Sequence, residues 1–241
     1  IRTIRLDERP KLTWVEIETE DGLTGLGETF RVSSAVEAAI HELIAPALLG
    51  RDSREISRLT NETMAPYVGY HSASAEIRAA SAADIALWDL FGKRHAIPVH
   101  EALGGATRDS IAVYNTCSGY DFNTGHGERR IVTGTERPTG PYDDQIAFAN
   151  DAGALAESLV GEGYKAMKIW PFDKFATSAI GNRLSGGQIA DGLIPFQRIR
   201  QAVGDRIEVM CELHSLWDAT TAFRICQALE PLDIFWVEDP I

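Results

Sequence analysis

The chain has 241 residues, 44% apolar and 24% charged, the proportions of an ordinary soluble globular protein of one or two domains. Asp and Glu outnumber Lys and Arg by 35 to 23, and the resulting net charge of −12 argues against nucleic acid or an anionic membrane as a partner. It does not argue against an anionic small substrate, because a bound divalent cation reverses the local field. Cys117, Cys211 and Cys226 show no CxxC spacing and read as reduced thiols of a cytoplasmic protein. No stretch is long and apolar enough to span a bilayer, and no signal peptide opens the chain. The chain begins without Met, inside a strand-like pattern, so a few starting residues are expected to be missing.

Ile1 to Leu6, Leu12 to Thr19 and Leu23 to Glu28 read as three antiparallel strands, with Trp14, Glu16 and Glu18 on one face of the second and a turn at Glu20-Asp21-Gly22. Ser33 or Ser34 is the expected N-cap of a helix through Ala35 to Leu43, and Ile56 to Met64 is a further helix. Glu76 to Gly92 carries Ile77, Ala80, Asp84, Leu87, Trp88 and Phe91 at helical spacing, with Gly92 as the expected C-cap. Asp84 interrupts that stripe and is expected to be hydrogen-bonded at a domain interface. Turn-rich sequence from Ala96 to Gly105 sets the expected boundary, giving an α+β domain over 1–105 and a second domain over 106–241.

Beyond the boundary, strands alternate with helices. Strands are expected at Ser110–Thr116, Tyr164–Trp170, Ile207–Glu212 and Ile234–Val237, and helices at Ala149–Gly161, Leu193–Val203 and Ala219–Leu229. This order predicts a parallel βα array. Two connections, Gly119 to Asp144 and Pro171 to Asp191, exceed the roughly 12–15 residues usual for loops in compact domains. They read as substrate-covering segments, and His126, Arg129 and Arg130 are either contacts for an anionic substrate or solvated loop charges.

Three of these apolar runs carry charge at their ends: Lys168, then Glu212 with His214, then Glu238. Residues two apart share a strand face, so Lys168 falls with Trp170 and Glu212 with His214. Charge at the end of a buried strand is costly unless compensated. Any one of these charges alone suits a solvated position just past its strand. Together they suit a site for a metal ion and an anionic substrate.

The ordered set of motifs resembles the enolase superfamily, in its mandelate racemase/muconate lactonizing enzyme-like branch. The resemblance is carried by Gly25-Leu26-Gly27-Glu28, by Ala86 to Lys93 with Ile97-Pro98 and Leu103-Gly104-Gly105, by Gly163 to Lys168, and by Trp236-Val237-Glu238-Asp239-Pro240. It covers essentially the whole chain. It implies an N-terminal α+β capping domain and an α/β barrel, a modified TIM barrel. It further implies Mg²⁺ held by carboxylates on successive strands, abstraction of the proton α to a substrate carboxylate, and stabilisation of the enediolate. In that frame Glu212 and Glu238 are the metal ligands, and Lys168 contacts the substrate carboxylate.

Three features depart from the family pattern: Lys168-Ile169-Trp170 lacks a second lysine, Glu212 stands where Asp is commoner, and Glu212-Leu213-His214 resembles the Asp-x-His of acid-sugar dehydratases. His214 is then the general acid that assists loss of hydroxide. Trp170 either walls the pocket or packs in the core, and Asp239, Thr29, Phe30 and the segment Pro66 to Ser74 are expected to contribute to substrate binding. The reading is a lyase that dehydrates a sugar acid. The alternatives are a racemase or cycloisomerase of the same superfamily, or a non-catalytic relative. The expected partner is a small-molecule carboxylate, with no nucleic acid or membrane, and the chain is expected to form a homo-oligomer. A complete barrel needs about 250 residues, of which about half follow Gly105, so a longer polypeptide is expected to supply the third ligand and the base.

Overall fold

The computed structural model describes residues 1–65, 73–120, 132, 134–138, 140–176 and 182–241. His126, Arg129, Arg130 and most of Pro66 to Ser74 lie outside them. The described chain forms two compact units, Ile1–Asp109 and Ser110–Ile241.

In the first unit, β1 (Arg2–Ile4), β2 (Leu12–Glu18) and β3 (Thr24–Phe30) form an antiparallel meander in that order. Strand β2 alternates as its sequence requires, burying Thr13, Val15 and Ile17 on one face. Helix α1 (Ser33–Ala39) runs through a π-helical turn (Ile40–Ile44) into α2 (Ala45–Leu48). The wider turn ends with the Ala45 N–H bonded to the Ile40 carbonyl, immediately before Pro46, which has no N–H to continue the ladder. Neither serine caps α1. Val32 holds the cap position in the left-handed region, and the Ser33 hydroxyl donates instead to the Pro10 carbonyl at 3.0 Å.

Helix α3 (Ile56–Met64) precedes α4 (Ser74–His95), and a short α5 (Val99–Ala102) follows. Helix α4 runs past Gly92 and ends at Ala96, which takes the left-handed conformation at φ 53°. Gly92 is therefore not a cap. A Cβ there would lie 2.8 Å from the Ile97 carbonyl oxygen. Asp84 is held within this unit, accepting from the Thr60 hydroxyl of α3.

Small residues let α4 lie directly on β3. A Cβ on Gly27 would collide with the Ala82 carbonyl, and one on Gly25 with the Ala86 carbonyl and the Leu90 side chain. Ala79, Ala82, Ala83 and Ala86 form the facing stripe, all buried. Asp89 accepts from the Leu26 N–H at 2.8 Å and Lys93 donates to the Thr24 carbonyl at 2.8 Å, so polar groups fix the register of helix against strand.

In the second unit, α6 (Asp144–Glu162) leads to β4 (Ala166–Ile169), α7 (Gly186–Val203) to β5 (Glu208–Glu212), and α8 (Ala219–Leu229) to β6 (Val237–Glu238). The sheet is parallel in the order β4-β5-β6. Each helix begins at a side-chain cap: Asp143 accepts from Ile146 N–H, Ser185 forms a capping box with Gln188, and Asp218 accepts from Thr221 N–H. Helix α6 kinks at Asp151, whose carboxylate restarts the helix by accepting from Ala154 N–H at 3.1 Å. The core is built from Met167 and Ile169 of β4, Val209 and Cys211 of β5, and Phe172, Phe196, Ile199, Leu213 and Ile225 around them.

The expected strand over Ser110–Thr116 is reduced to one residue. Asn115 N–H donates to the Ala166 carbonyl and Lys168 N–H donates to the Asn115 carbonyl, at 2.9 and 2.8 Å, while Ile111 and Val113 stay exposed. The alternating apolar residues of that segment find no face to pack on among the described residues.

Because α4 and β3 touch backbone to backbone, Gly27→Ala is expected to cost about 3 kcal/mol through overpacking. Urea unfolding followed by circular dichroism checks this, and an unchanged midpoint would disprove the close approach.

Candidate active site

Parallel pairing sets Glu212 of β5 directly beside Glu238 of β6, at the carboxyl ends of both strands. Lys168 of β4 pairs with Met210, one strand step below Glu212 on the same face. Its side chain extends toward the two carboxylates. Nζ lies 3.2 Å from Glu212 Oε2 and 2.6 Å from Glu238 Oε1. Each carboxylate takes a second donor on its other oxygen: the His214 N–H donates to Glu212 Oε1 at 2.8 Å, and the Trp236 indole to Glu238 Oε2 at 3.3 Å. Tyr114 covers the ammonium with its ring centroid 5.4 Å away, and stands edge-on to Trp236.

After Glu212 the chain turns back sharply. His214 and Ser215 both adopt the left-handed region, at φ 50° and 52°, and Asp239 does so after β6 at φ 43°. Non-glycine residues held this way cost of the order of 1 kcal/mol or more each, and such positions cluster at functional sites. The turn is pinned by Leu213 N–H to the Glu238 carbonyl at 3.0 Å and Ser215 N–H to the Asp239 carbonyl at 2.8 Å. It aims the His214 ring at Asp173, with Nδ1 3.0 Å from Oδ2, while Trp170 meets the same ring edge-to-face at 5.7 Å.

The side chains of Lys168 and Glu212 are only 6% and 5% exposed, so their charges must compensate each other. Burial weakens the hold of Lys168 on its proton, but hydrogen bonds and charge from Glu238 and Glu212 outweigh it, and the pKa rises above the usual 10.5. Burial likewise pushes Glu238 up, yet the Lys168 hydrogen bond and charge prevail and its pKa falls below the usual 4.5. Two hard oxygen donors thus flank a cation already. Among the described residues no group of three or more His, Cys, Asp or Glu side chains gathers into a cage. Two carboxylates fit an ion such as Mg²⁺, which keeps much of its water and commonly takes one or two protein carboxylates.

Residues 6–104 match the family model of the mandelate racemase/muconate lactonizing enzyme N-terminal domain, and residues 151–241 match the enolase C-terminal domain-like model. The chain belongs to the enolase superfamily, in its mandelate racemase/muconate lactonizing enzyme-like branch. A solved enolase from environmental sequencing of the Sargasso Sea is 56% identical at a TM-score of 0.82, covering 99% of this chain and 56% of its own. Among curated relatives, the D-galactonate dehydratase family member RspA of Pantoea ananatis is 33% identical over 95% of this chain and 56% of its own length. The D-gluconate dehydratase of Thermoproteus tenax is 30% identical over 94% of this chain and 40% of its own length. The chain therefore spans about half the length of the relatives it matches. The fold of this enolase-superfamily chain is an N-terminal α+β capping domain followed by part of an α/β barrel.

Of the residues singled out from sequence, the second unit brings Lys168, Glu212, His214 and Glu238 together. Trp170 is buried and packs on Phe148 at 5.4 Å; the cavity of about 30 Å³ that it lines with Asp173 holds none of Lys168, Glu212, His214 or Glu238. Asp239 follows β6 with an exposed side chain. Thr29 and Phe30 end β3 in the first unit, where the Phe30 carbonyl accepts from Arg78 at 2.8 Å. Sequence reasoning missed Tyr114, Trp236 and Asp173. Asp173 left one usable signal, a carboxylate closely following Lys168 in the apolar run Ile169-Trp170-Pro171-Phe172.

The stability contributed by Glu238 is present above its unfolded pKa near 4.5 and lost as pH falls through the lower folded value. That of Lys168 is present below 10.5 and lost as pH rises through its higher folded value. Lys168→Met is expected to lower stability by about 3 kcal/mol near neutral pH and to remove the acid-side loss due to Glu238. Urea unfolding across pH in a chelator tests this, and equal stability of variant and parent would exclude a compensated charge cluster.

Proposed function

We propose that this chain carries part of the active site of a Mg²⁺-dependent lyase that dehydrates a sugar acid. The observation behind this reading is the seating of one buried ammonium between two strand-end carboxylates, with the His214 backbone N–H on one of them and its imidazole against Asp173. The named activities of the curated relatives point to the same substrate class. Glu212 and Glu238 hold the cation. Bound there, the cation stabilises the negative charge that gathers on the substrate carboxylate as the α proton departs.

Lys168 binds and orients the substrate carboxylate, drawing on the ammonium that now faces Glu212 and Glu238. His214 gives a proton to the departing β-hydroxyl, so that the C–O bond breaks with loss of water. Its ring is suited to this by partial exposure, 37% of the side chain, and by restraint from Asp173 and Trp170. Trp170 excludes water from one wall. Asp239, Thr29 and Phe30 are assigned to substrate recognition. A homo-oligomer and a cytoplasmic location belong to the same proposal. The latter is supported by three free cysteines, Cys117, Cys211 and Cys226.

Screening the full-length polypeptide against acid sugars with Mg²⁺ is expected to yield the 2-keto-3-deoxy product of dehydration. His214→Asn is expected to lower kcat by roughly 100-fold or more while calorimetric Mg²⁺ binding persists. Glu238→Gln is expected to abolish that binding. A racemised or cyclised product without loss of water would assign the chain to another activity of the superfamily, and undiminished dehydration by His214→Asn would remove the proposed acid.

A further inference from the structure

Asp173 stands on a short 3-10 turn, Asp173–Phe175, that follows β4. Its side chain is 10% exposed, and Oδ2 lies 3.0 Å from Nδ1 of His214. Three restraints converge on that imidazole from different segments. The backbone N–H of His214 is tied to Glu212, its backbone is locked in the left-handed region, and the Trp170 ring meets the imidazole at an interplanar angle of 78°. None of these selects which ring nitrogen carries hydrogen. A carboxylate does, because it only accepts: Nδ1 must donate, and Nε2 is left with its lone pair. With Nδ1 turned to the buried Asp173, Nε2 is the nitrogen directed away from that contact.

We infer that Asp173 is a positioning residue that orients the His214 ring and fixes its Nδ1–H tautomer, so that proton exchange with the substrate passes through Nε2. The turn that carries Asp173 begins three residues after Trp170, so one short segment supplies both the packing wall and the orienting carboxylate for His214. This inference rests on the reading of His214 as the acid, but the state of the ring is measurable without turnover.

The test uses long-range ¹H–¹⁵N correlation spectra of the ¹⁵N-labelled full chain at one pH near 8, above the usual imidazole range. His214→Asn assigns the signals. In the parent chain His214 is expected to show a protonated Nδ1 and an unprotonated Nε2. Asp173→Asn is nearly isosteric, and its amide can donate to Nδ1, which favours the opposite tautomer. The His214 signals are expected to exchange roles in this variant, and kcat to fall about 100-fold with KM for the sugar acid unchanged. Asp173→Glu, which keeps a carboxylate, is expected to restore the parent ring pattern. Ring signals that stay as in the parent chain in Asp173→Asn would overturn the inference, as would exchanged tautomers with full kcat. If the full-length polypeptide dehydrates no sugar acid, the proposed function falls, and the spectra still decide whether Asp173 sets the ring.

Discussion

A buried ammonium needs anionic company, and in this protein that requirement organises the carboxyl ends of the parallel sheet. Lys168 rises from β4 and meets Glu212 and Glu238, one from each of the next two strands. Neither charge sign is stable there alone. The interior favours neutral groups, so the buried Lys168 ammonium persists because Glu212 and Glu238 answer it. The second donors extend the arrangement outward: His214 N–H on Glu212, the Trp236 indole on Glu238, and the Tyr114 face over the ammonium. Among the described residues, every strand of the second unit contributes to this cluster, so the cluster also monitors their register.

The His214 ring is separated from this charge cluster by a single tight turn. Glu212 holds the backbone of His214, while the His214 side chain meets Asp173 and Trp170. Glu212 faces Lys168, and His214, two residues on, faces Asp173. The left-handed backbone at His214 and Ser215 is the local cost of that division. It is sustained by strand-like hydrogen bonds that continue from β6 past the end of the formal sheet.

The first unit obeys a different constraint, one of space rather than charge. Gly25 and Gly27 allow the backbone of α4 to lie on β3, and the alanine stripe of α4 completes the contact. Motifs that resemble family signatures in sequence, Gly-Leu-Gly-Glu and Ala-Leu-Trp-Asp-Leu-Phe-Gly-Lys, are thus the two halves of one packing surface. Asp89 and Lys93, polar members of the second motif, bind the backbone of the first.

Much of this was legible along the chain, because burial follows period. The alternation in β2, the stripe of α4, the span of α8 and the charged ends of three apolar runs are all local patterns, and they named Lys168, Glu212, His214 and Glu238. Local patterns failed at boundaries. Gly92 reads as a cap but serves close packing, Ser33 reads as a cap but bonds Pro10, and Ser110–Thr116 has strand residues but pairs only at Asn115. What the sequence determined alone was which residues sit at strand ends, since a strand's faces alternate whatever surrounds it. Only the tertiary structure decided that Lys168 bridges both glutamates and that Asp173 stands against His214. Those contacts join segments far apart in the chain, and their geometry depends on parallel register and side-chain reach, for which no local period exists.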